Sequence, residues 1–370
     1  MTIIITLSAG FSLKKWQNFG LLSRELDYIF HLGSNLYQDI IILSYGNQVE
    51  EANILYEYKS HSLLINNVAV KCIATVRLCK YDDIINSFFA PFFVDIKPDG
   101  QKISFIRSNQ FTGSWTAWLY SLRYMCPFVL RMGYKQSAHY HRDHPNKPIQ
   151  LLIIRLAEKF LISVARKIVL TTPAITPILD TKKYVVIPNS VNLSRFKPIY
   201  SSKKYDVITI SRLSNQKNLD ALINACIKNN LSLLIVGQGP LESDYRRYFQ
   251  EQNNKIYHIK TIDNDEVPYY FSLSSVFALI SFYEGNPKAA IEALSCSMRC
   301  LFSSISSLKA LPYDPNGVTW VDPFSPNDIE TRLRFLFASK TILFNHRGYV
   351  CEICSMSLNS NKEALHLGNL

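Results

Sequence analysis

The sequence has no apolar run that is both long enough to cross a bilayer and free of charge. A spanning helix needs about 20 predominantly apolar residues. The best candidate segment, 151–172, is interrupted by Arg155, Glu158, Lys159, Arg166 and Lys167. The stretch formed by the first eight residues is too short for a secretory signal and lacks the basic start of one. We therefore expect no signal peptide, and a cytoplasmic protein that is soluble or peripheral on the membrane.

Cysteine and metal-ligand patterns are also sparse. The eight cysteines are scattered, so reduced thiols fit this chain better than a disulfide framework. Cys351 and Cys354 form one C-x-x-C pair, without a second pair to complete a zinc site. His139, His141 and His144 offer three ligands but no clear fourth, which favours a solvated or acceptor-facing loop. We predict no metal site.

What the chain does have is length, apolar content and positive charge. Its 370 residues with 48% apolar and 19% charged residues are enough for two packed domains. The formal net charge of +11 favours anionic partners, namely nucleic acid, an acidic membrane face or phosphorylated substrates. Composition does not choose among these partners.

Short apolar runs alternate with helical patterns along the whole chain, which is typical of βαβ units with parallel sheets. In the first half, the predicted strands cover 3–7, 40–43, 102–106, 127–131, 167–171 and 184–187, with a helix at 19–32. In the second half, the predicted strands cover 205–210, 231–236, 256–259, 276–280 and 299–302, with a helix at 219–228 and helical character from about 328.

This alternation predicts an α/β protein with two doubly wound, Rossmann-like domains facing across a cleft. The polar, turn-rich stretch 198–204 is typical of a linker. We expect a first domain at 1–195, a second at 196–350 and a helical segment at 351–370. A ligand would bind at the carboxyl ends of the strands.

The most informative motif follows the apolar strand at 276–280. Glu284 lies in the strand-to-helix loop, Pro287 is suited to opening a helix, and Glu292 lies about a turn and a half further on. Free backbone amides around Asn286 to Ala289 would bind oxygen acceptors. Two carboxylates at this spacing can accept hydrogen bonds from the hydroxyls of a sugar and a ribose. Two glutamates taken alone would more often be solvated side chains.

A second motif, Arg212-Leu213 followed by Lys217, lies between a predicted strand and helix about 70 residues earlier. Alone, these cations would more often be ordinary surface charges. In this order and context, the two motifs resemble those of the family 4 glycosyltransferases, which retain anomeric configuration and have the GT-B fold. The junction phrase Ile187-Pro188-Asn189-Ser190-Val191 and the run Gly237-Gln238-Gly239-Pro240 extend the resemblance over about 185–337.

The resemblance implies specific roles. Arg212 and Lys217 would hold the donor diphosphate, Glu284 and the segment of Asn286, Pro287 and Lys288 would meet the donor sugar, and Glu292 would bind the ribose. Gly10, after the first strand, would let the phosphates approach the backbone, although an ordinary turn glycine is equally compatible. The acceptor-side candidates, from segments resembling bacterial surface-polysaccharide enzymes, are Asn109, Arg131, Tyr134 and His139.

Two positions depart from the family pattern. Lys260 stands where the family commonly has glycine near the nucleotide, and Ser297-Met298-Arg299 replaces a Gly-x-Pro. The first change affects a position that the resemblance places beside the nucleotide base, and the second affects the turn that follows Glu292. The segment Asp263-Asn264-Asp265 imitates the metal motif of a different glycosyltransferase fold, but here it predicts a helix N-cap.

The expected activity is transfer of a sugar from a nucleotide-diphosphate sugar to a glycan or lipid-linked acceptor in polysaccharide biosynthesis, without a cofactor or an essential metal. A nucleotide-sugar epimerase or an inverting transferase on the same fold is the enzymatic alternative. A basic nucleic-acid-binding protein is the alternative from another class, although no nucleic-acid module is present. The apolar stripe at 151–167 fits either core packing or attachment to an anionic membrane face.

Overall fold

A computed structural model describes residues 1–60, 68–73, 82–97, 100–173, 183–250, 255–339, 343–368 and 370, and for 82–84 the backbone alone. The chain divides into two compact units. The first contains Met1–Asn18, Glu25–Pro188 and Asn359–Leu370, and the second contains Phe19–Arg24 and Asn189–Leu358. Each unit has its own parallel sheet.

In the first unit, the described residues form a seven-stranded sheet of order β3-β2-β1-β4-β5-β6-β7, paired in parallel throughout. Its strands are β1 (Thr2–Thr6), β2 (Asp39–Ser44), β3 (Val68–Cys72), β4 (Ile103–Ser108), β5 (Phe128–Met132), β6 (Lys167–Leu170) and β7 (Tyr184–Val186). Its helices are α1 (Leu13–Asn18), α2 (Leu22–Leu36, without its first three residues, which belong to the second unit), α3 (Gln48–Ser60), α4 (Asp82–Phe93), α5 (Ser114–Arg123), α6 (Gln136–Asp143) and α7 (Pro148–Val164).

In the second unit, a six-stranded parallel sheet has the order β10-β9-β8-β11-β12-β13. Its strands are β8 (Tyr205–Ile210), β9 (Leu233–Val236), β10 (Ile256–Ile259), β11 (Ser274–Leu279), β12 (Arg299–Ser303) and β13 (Val318–Val321). Its helices are α8 (Leu219–Lys228), α9 (Glu242–Gln250), α10 (Val267–Ser272), α11 (Lys288–Ser295), α12 (Ser306–Lys309), α13 (Pro326–Ala338) and α14 (His346–Ile353), and α15 (Met356–Leu367) follows. The strand order reverses between β8 and β11, which places the loops after these two strands side by side.

The predicted strands are all present, with small shifts at their ends, whereas β3 and β13 were not predicted. Both lie at sheet edges, where a short strand is only partly buried and gives a weak apolar signal. The helix predicted from residue 19 begins at Leu22 instead. Gly20 explains the difference, because its φ of +63° cannot belong to a right-handed helix.

The division between the units falls after Pro188, and the C-terminal helices do not form a separate segment. Helix α14 belongs to the second unit, whereas residues from Asn359 onward belong to the first. A buried ion pair holds the C-terminal residues in the first unit, since Glu363 Oε1 lies 2.6 Å from Arg107 Nε. Tyr28 also donates to the second oxygen of this carboxylate, at 2.5 Å. The sequence-based boundaries at 195 and 350 could not anticipate these long-range contacts.

Helix α7, in the predicted stripe, faces two ways. Leu151, Glu158 and Leu161 are buried, but the remaining apolar residues are largely exposed. Core packing therefore explains only part of the stripe. No described helix is long and apolar enough to cross a membrane. Seven cysteines are present as free thiols, and Cys79 lies outside the described residues.

Candidate functional site

Arg212 lies in the loop that follows the central strand β8 of the second unit. Its neighbour Leu213 is fully buried and anchors this loop, while Arg212 itself is exposed. Two backbone hydrogen bonds fix the loop against the segment after β9, from Ser211 N to Val236 O at 3.0 Å and from Leu213 N to Gln238 O at 3.1 Å. Within the described residues, the Arg212 side chain has no hydrogen-bond or ion-pair partner. A fixed backbone thus presents an available guanidinium.

Two glycines after β9 allow this close approach of backbone to backbone. A Cβ on Gly237, whose φ is +146°, would lie 1.9 Å from the carbonyl oxygen of Ser211. A Cβ on Gly239 would lie 2.3 Å from the carbonyl oxygen of Leu213. The Gly-Gln-Gly-Pro run noted in the sequence therefore packs against the backbone of the Arg212 loop and supports it.

Lys217 and Glu284 contact each other directly. Lys217 Nζ lies 2.5 Å from Glu284 Oε1, and both side chains are largely buried. The Ser281 hydroxyl donates to the same carboxylate oxygen at 2.6 Å. Gln216 joins the two loops further, because its carbonyl accepts from Phe282 N at 2.9 Å and its side chain donates to the Tyr283 carbonyl at 2.7 Å. The two predicted motifs therefore form one site.

The segment after Glu284 leads into helix α11. The helix begins at Lys288, and Pro287 is its N-cap residue with ψ of 115°, so Pro287 stands one position earlier than a helix-opening proline. The first-turn amides have no acceptor within the helix. The Asn286 side chain accepts from Asn189 N at 2.8 Å, while the Asn189 amide group donates to the Asn286 carbonyl at 2.6 Å. These bonds tie the predicted sugar-binding turn to the junction phrase.

Glu292 lies on α11 and is almost fully buried. Its carboxylate accepts from the Asn264 side-chain amide at 3.1 Å, and Arg24 Nη1 lies 3.8 Å away. Asn264 belongs to the Asp-Asn-Asp segment that was predicted to cap a helix. That prediction was wrong in detail, because the N-cap of α10 is Glu266. Asn264 instead orients the carboxylate of Glu292, the side chain predicted to bind the ribose. Sequence reasoning missed this role.

The candidates of the first unit fall into two pairs. Asn109 directly follows β4, and Arg131 is the last but one residue of the adjacent strand β5. Both residues are buried, and Arg131 Nη1 donates a hydrogen bond to the Asn109 carbonyl at 3.2 Å. The rings of Tyr134 and His139 contact each other, with centroids 4.3 Å apart and planes tilted by 43°. Gly10 has a φ of +75°, and its carbonyl accepts from the Lys15 ammonium. Their acceptor-side and phosphate-side roles stay predictions.

Two buried carboxylates in this unit were not found from the sequence. Glu51 accepts from the amides of Leu13 and Lys14 at 2.7 and 3.0 Å, which holds the start of α1 after the Gly10 turn. Glu158 accepts from the Ser137 amide at 2.9 Å and so holds the start of α6. Both glutamates lie in helices whose sequences mix polar and apolar residues. Only the backbone amides that they bind distinguish them from glutamates on the surface.

The departures from the family pattern have simple structural outcomes. Lys260 is exposed and pairs with Glu242 at 3.2 Å. Ser297 takes the left-handed conformation, with φ of +54°, in which glycine is usual. The turn is nevertheless closed, since Ser297 N and Met298 N donate to the carbonyls of Leu294 and Ala293. This pair of bonds is the Schellman ending of a helix.

The three histidines lie on or just after α6. In the described ranges, no group of three or more His, Cys, Asp or Glu side chains is arranged to hold a metal ion.

Residues 191–347 match the model of the family described as Glycosyl transferases group 1. This range contains Arg212, Lys217, Glu284 and Glu292. The match lies within the second unit and overlaps the predicted extent of the resemblance.

Two bacterial relatives are similar over part of the chain. With the UDP-Gal:alpha-D-GlcNAc-diphosphoundecaprenol alpha-1,3-galactosyltransferase of Escherichia coli, identity is 31% over 153 residues, which are 36% of this chain and 40% of that protein. With the amylovoran biosynthesis glycosyltransferase AmsD of Erwinia amylovora, identity is 25% over 221 residues, which are 55% of this chain and 61% of that protein. The chain thus spans 40% and 61% of the length of these relatives.

Solved structures resemble the whole chain. HepE of Anabaena, in complex with UDP and glucose, has a TM-score of 0.74 at 14% identity, with 100% of both chains covered. The lipopolysaccharide outer core galactosyltransferase WaaB has a TM-score of 0.63 at 13% identity, with 99% of both chains covered. At these identities the likeness is one of fold. The predicted fold class, two parallel-sheet Rossmann-like domains of the GT-B type, is confirmed.

Proposed function

We propose that this protein is a retaining glycosyltransferase of family 4. It moves a sugar from a nucleotide-diphosphate sugar to a glycan or lipid-linked acceptor during synthesis of a bacterial surface polysaccharide, such as capsule or lipopolysaccharide. The observation that carries this proposal is the grouping of Arg212, Lys217 and Glu284 in the loops after β8 and β11, the two strands at which the sheet order reverses. The group 1 match and the two bacterial relatives support it.

Charge explains what these side chains do. The bond between the anomeric carbon and the donor phosphate oxygen breaks, and negative charge grows on the leaving nucleoside diphosphate. Arg212 and Lys217 stabilise that charge, an effect worth about 2.7–4 kcal/mol for each preorganised group. The acceptor hydroxyl attacks the anomeric carbon from the same face, and its proton passes to the departing phosphate. No protein nucleophile is needed.

Glu284 has two tasks in this mechanism. Its carboxylate positions the hydroxyls of the donor sugar and lowers the energy of positive charge near the anomeric carbon. The contact with Lys217 and the Ser281 hydroxyl fixes the carboxylate before the substrate arrives. Glu292, held by Asn264, binds the ribose hydroxyls. Because two cations already balance the leaving group, we propose that no bound metal is essential.

The same comparisons support the substrates that we propose. A nucleotide-sugar donor is supported by the complex of the structurally similar HepE with UDP and glucose. A lipid-linked acceptor is supported by the diphosphoundecaprenol substrate named for the Escherichia coli relative. We place the reaction in the cytoplasm, without nucleic acid as a partner.

A ligand screen followed by product analysis tests this function. Thermal shift should reveal stabilisation by one nucleoside diphosphate and by its sugar conjugates, but not by RNA or DNA. With the selected α-linked donor, the anomeric proton coupling in NMR should report an α-linked product. A β-linked product would identify an inverting transferase, and an altered sugar still attached to nucleotide would identify an epimerase. Stabilisation by nucleic acid alone would overturn the proposal.

A further inference from the structure

Three helices of the first unit form an exposed apolar face. The inner sides of α4, α5 and α7 pack on one face of the seven-stranded sheet and share a single core cluster. Their outer sides are unusually apolar for a water-facing surface. The exposed members are Ile85, Phe88, Phe89, Phe92 and Phe93 on α4, Leu122 on α5 with Met125 just after it, and Ile149, Leu152, Ile153, Leu156, Phe160 and Val164 on α7. We call this surface the α4–α5–α7 face.

The α7 part is a continuous stripe. At 100° per residue, its six exposed apolar residues lie within about a third of the helix circumference. They are well exposed, as Ile149 at 75% and Ile153 at 60% illustrate. The opposite side, with Leu151 and Leu161, faces the core. One helix therefore has two apolar sides, and only one of them is needed for folding.

Aromatic contacts join the three helices into one surface. Phe88 of α4 stacks on Trp115 of α5, with ring centroids 5.3 Å apart and planes 6° apart. Trp118, one turn further along α5, meets Phe160 of α7 edge-on at 4.8 Å. On α4, Phe92 and Phe93 are 66% and 81% exposed. The face is thus continuous from α4 to α7.

The charges around the face are mainly positive. On α7 the exposed charged residues are Arg155 and Lys159, because its one carboxylate, Glu158, is buried against Ser137. Among the side chains that the structure describes, the exposed cations beside the helices are Lys97, Arg123, Arg142, Lys147 and Arg166, and the exposed carboxylates are Asp95 and Asp143. Asp95 accepts from the Tyr124 hydroxyl at 2.6 Å. The rim is therefore complementary to an anionic surface.

We propose that the α4–α5–α7 face binds the surface of an anionic phospholipid bilayer, with α7 lying in the plane of the interface. Apolar side chains on one side and cations on the flank are the pattern by which amphipathic helices insert among lipid headgroups. Attraction to anionic lipid adds to this binding and weakens with salt. The proposal does not depend on sugar transfer, but it would bring the enzyme to a lipid-linked acceptor.

Vesicle cosedimentation of the full chain tests the proposal. At low salt the protein should bind vesicles of equal parts phosphatidylcholine and phosphatidylglycerol, and binding should fall as salt rises. Leu152→Ser/Leu156→Ser and Phe89→Ser/Phe93→Ser should each lower the partition coefficient at least about tenfold. Arg155→Glu/Lys159→Glu should lower it by a similar factor on these vesicles.

Matched controls separate this face from the rest of the surface. Val49→Ser/Tyr56→Ser removes exposed apolar groups from α3, whose buried residues do not belong to the α4–α5–α7 core cluster. Arg246→Glu/Lys362→Glu makes the same change in net charge at exposed positions elsewhere. Both controls should bind as wild type, and all variants should keep the wild-type Tm.

Two outcomes would overturn the proposal. The first is absence of binding to the anionic vesicles at low salt, or binding that the α4 and α7 variants leave unchanged. The second is a concentration-dependent dimer in light scattering that Leu152→Ser/Leu156→Ser dissociates, without vesicle binding. That result would assign the face to a second copy of the chain.

Discussion

Lys217 Nζ lies 2.5 Å from Glu284 Oε1, although 67 residues separate the two in the chain. This ion pair couples the cation predicted to hold the donor phosphate with the carboxylate predicted to hold the donor sugar. Lys217→Ala should lower kcat by roughly 10² to 10³. Because each partner fixes the other, the double variant Lys217→Ala/Glu284→Gln should lose less than the product of the single losses. Independent, multiplicative effects in steady-state kinetics would contradict this coupling.

Arg212 offers a matched comparison, since it is exposed and its side chain has no hydrogen-bond or ion-pair partner among the described residues. Arg212→Ala should lower kcat by roughly 10² to 10³ while leaving Tm unchanged. Lys217→Ala should also cost about 1–3 kcal/mol of stability, because it leaves the buried Glu284 carboxylate without its cation. Activity of Arg212→Ala within threefold of wild type would remove Arg212 from the site.

The division of labour between the two glutamates is testable by calorimetry with the nucleoside diphosphate that the screen selects. Glu292→Gln should weaken binding about tenfold, which corresponds to about 1.4 kcal/mol. Asn264→Ala should weaken it in the same direction, because the amide orients the Glu292 carboxylate. Glu284→Gln should leave the affinity within about twofold. Equal affinities in all three variants would show that Glu292 does not bind the nucleotide.

Gly237 supports the Arg212 loop, and Gly100 offers a matched control position. In Gly237→Ala the new Cβ would lie 1.9 Å from a backbone oxygen that cannot rotate away. We expect a loss of about 3 kcal/mol or more in the free energy of unfolding. Gly100→Ala, at φ of +68° with open space around its Cβ, should cost only about 1 kcal/mol. Equal Tm values for the two variants would contradict the packing argument.

The stability of the protein should fall below about pH 6.5, the usual pKa of histidine. Burial of His346 lowers the pKa of its imidazole. In the folded protein its Nδ1 accepts a hydrogen bond from the Asp314 amide at 2.9 Å. The unfolded chain then binds the proton more readily than the folded chain, and acid favours unfolding. His31 and His366 also have lowered pKa values. In His346→Gln, the drop in Tm from pH 7.5 to 5.5 should therefore be smaller than in wild type but not absent; an unchanged drop would refute the assignment.

Metal removal tests the charge assignment. If Arg212 and Lys217 balance the leaving diphosphate, most activity should survive EDTA. The control is the same assay with added Mg²⁺ or Mn²⁺, which should change the rate by less than about twofold. Complete loss in EDTA, restored by either ion, would mean that a metal supplies the charge instead.

The sequence by itself determined the architecture and indicated the main side chains of the candidate site. Runs such as Ile256–Ile259 and Tyr205–Ile210 are short, apolar and separated by helical patterns, and local periodicity of this kind is enough to specify parallel α/β units. The spacing from Glu284 to Glu292 and the Arg-Leu motif at Arg212 are likewise local, and the fold brings them to neighbouring strands.

Only the tertiary structure decided the partners. The contacts of Glu292 with Asn264, of Glu51 with the start of α1 and of Glu363 with Arg107 join positions far apart in the chain, and no local pattern separates these glutamates from solvated ones. The same reason applies to α7. Both sides of this helix carry apolar residues at helical spacing. The periodicity of the sequence therefore does not tell which of the two sides packs on the sheet. Burial depends on the neighbours that the fold supplies, and this left Ile149 and Ile153 exposed while Leu151 and Leu161 entered the core.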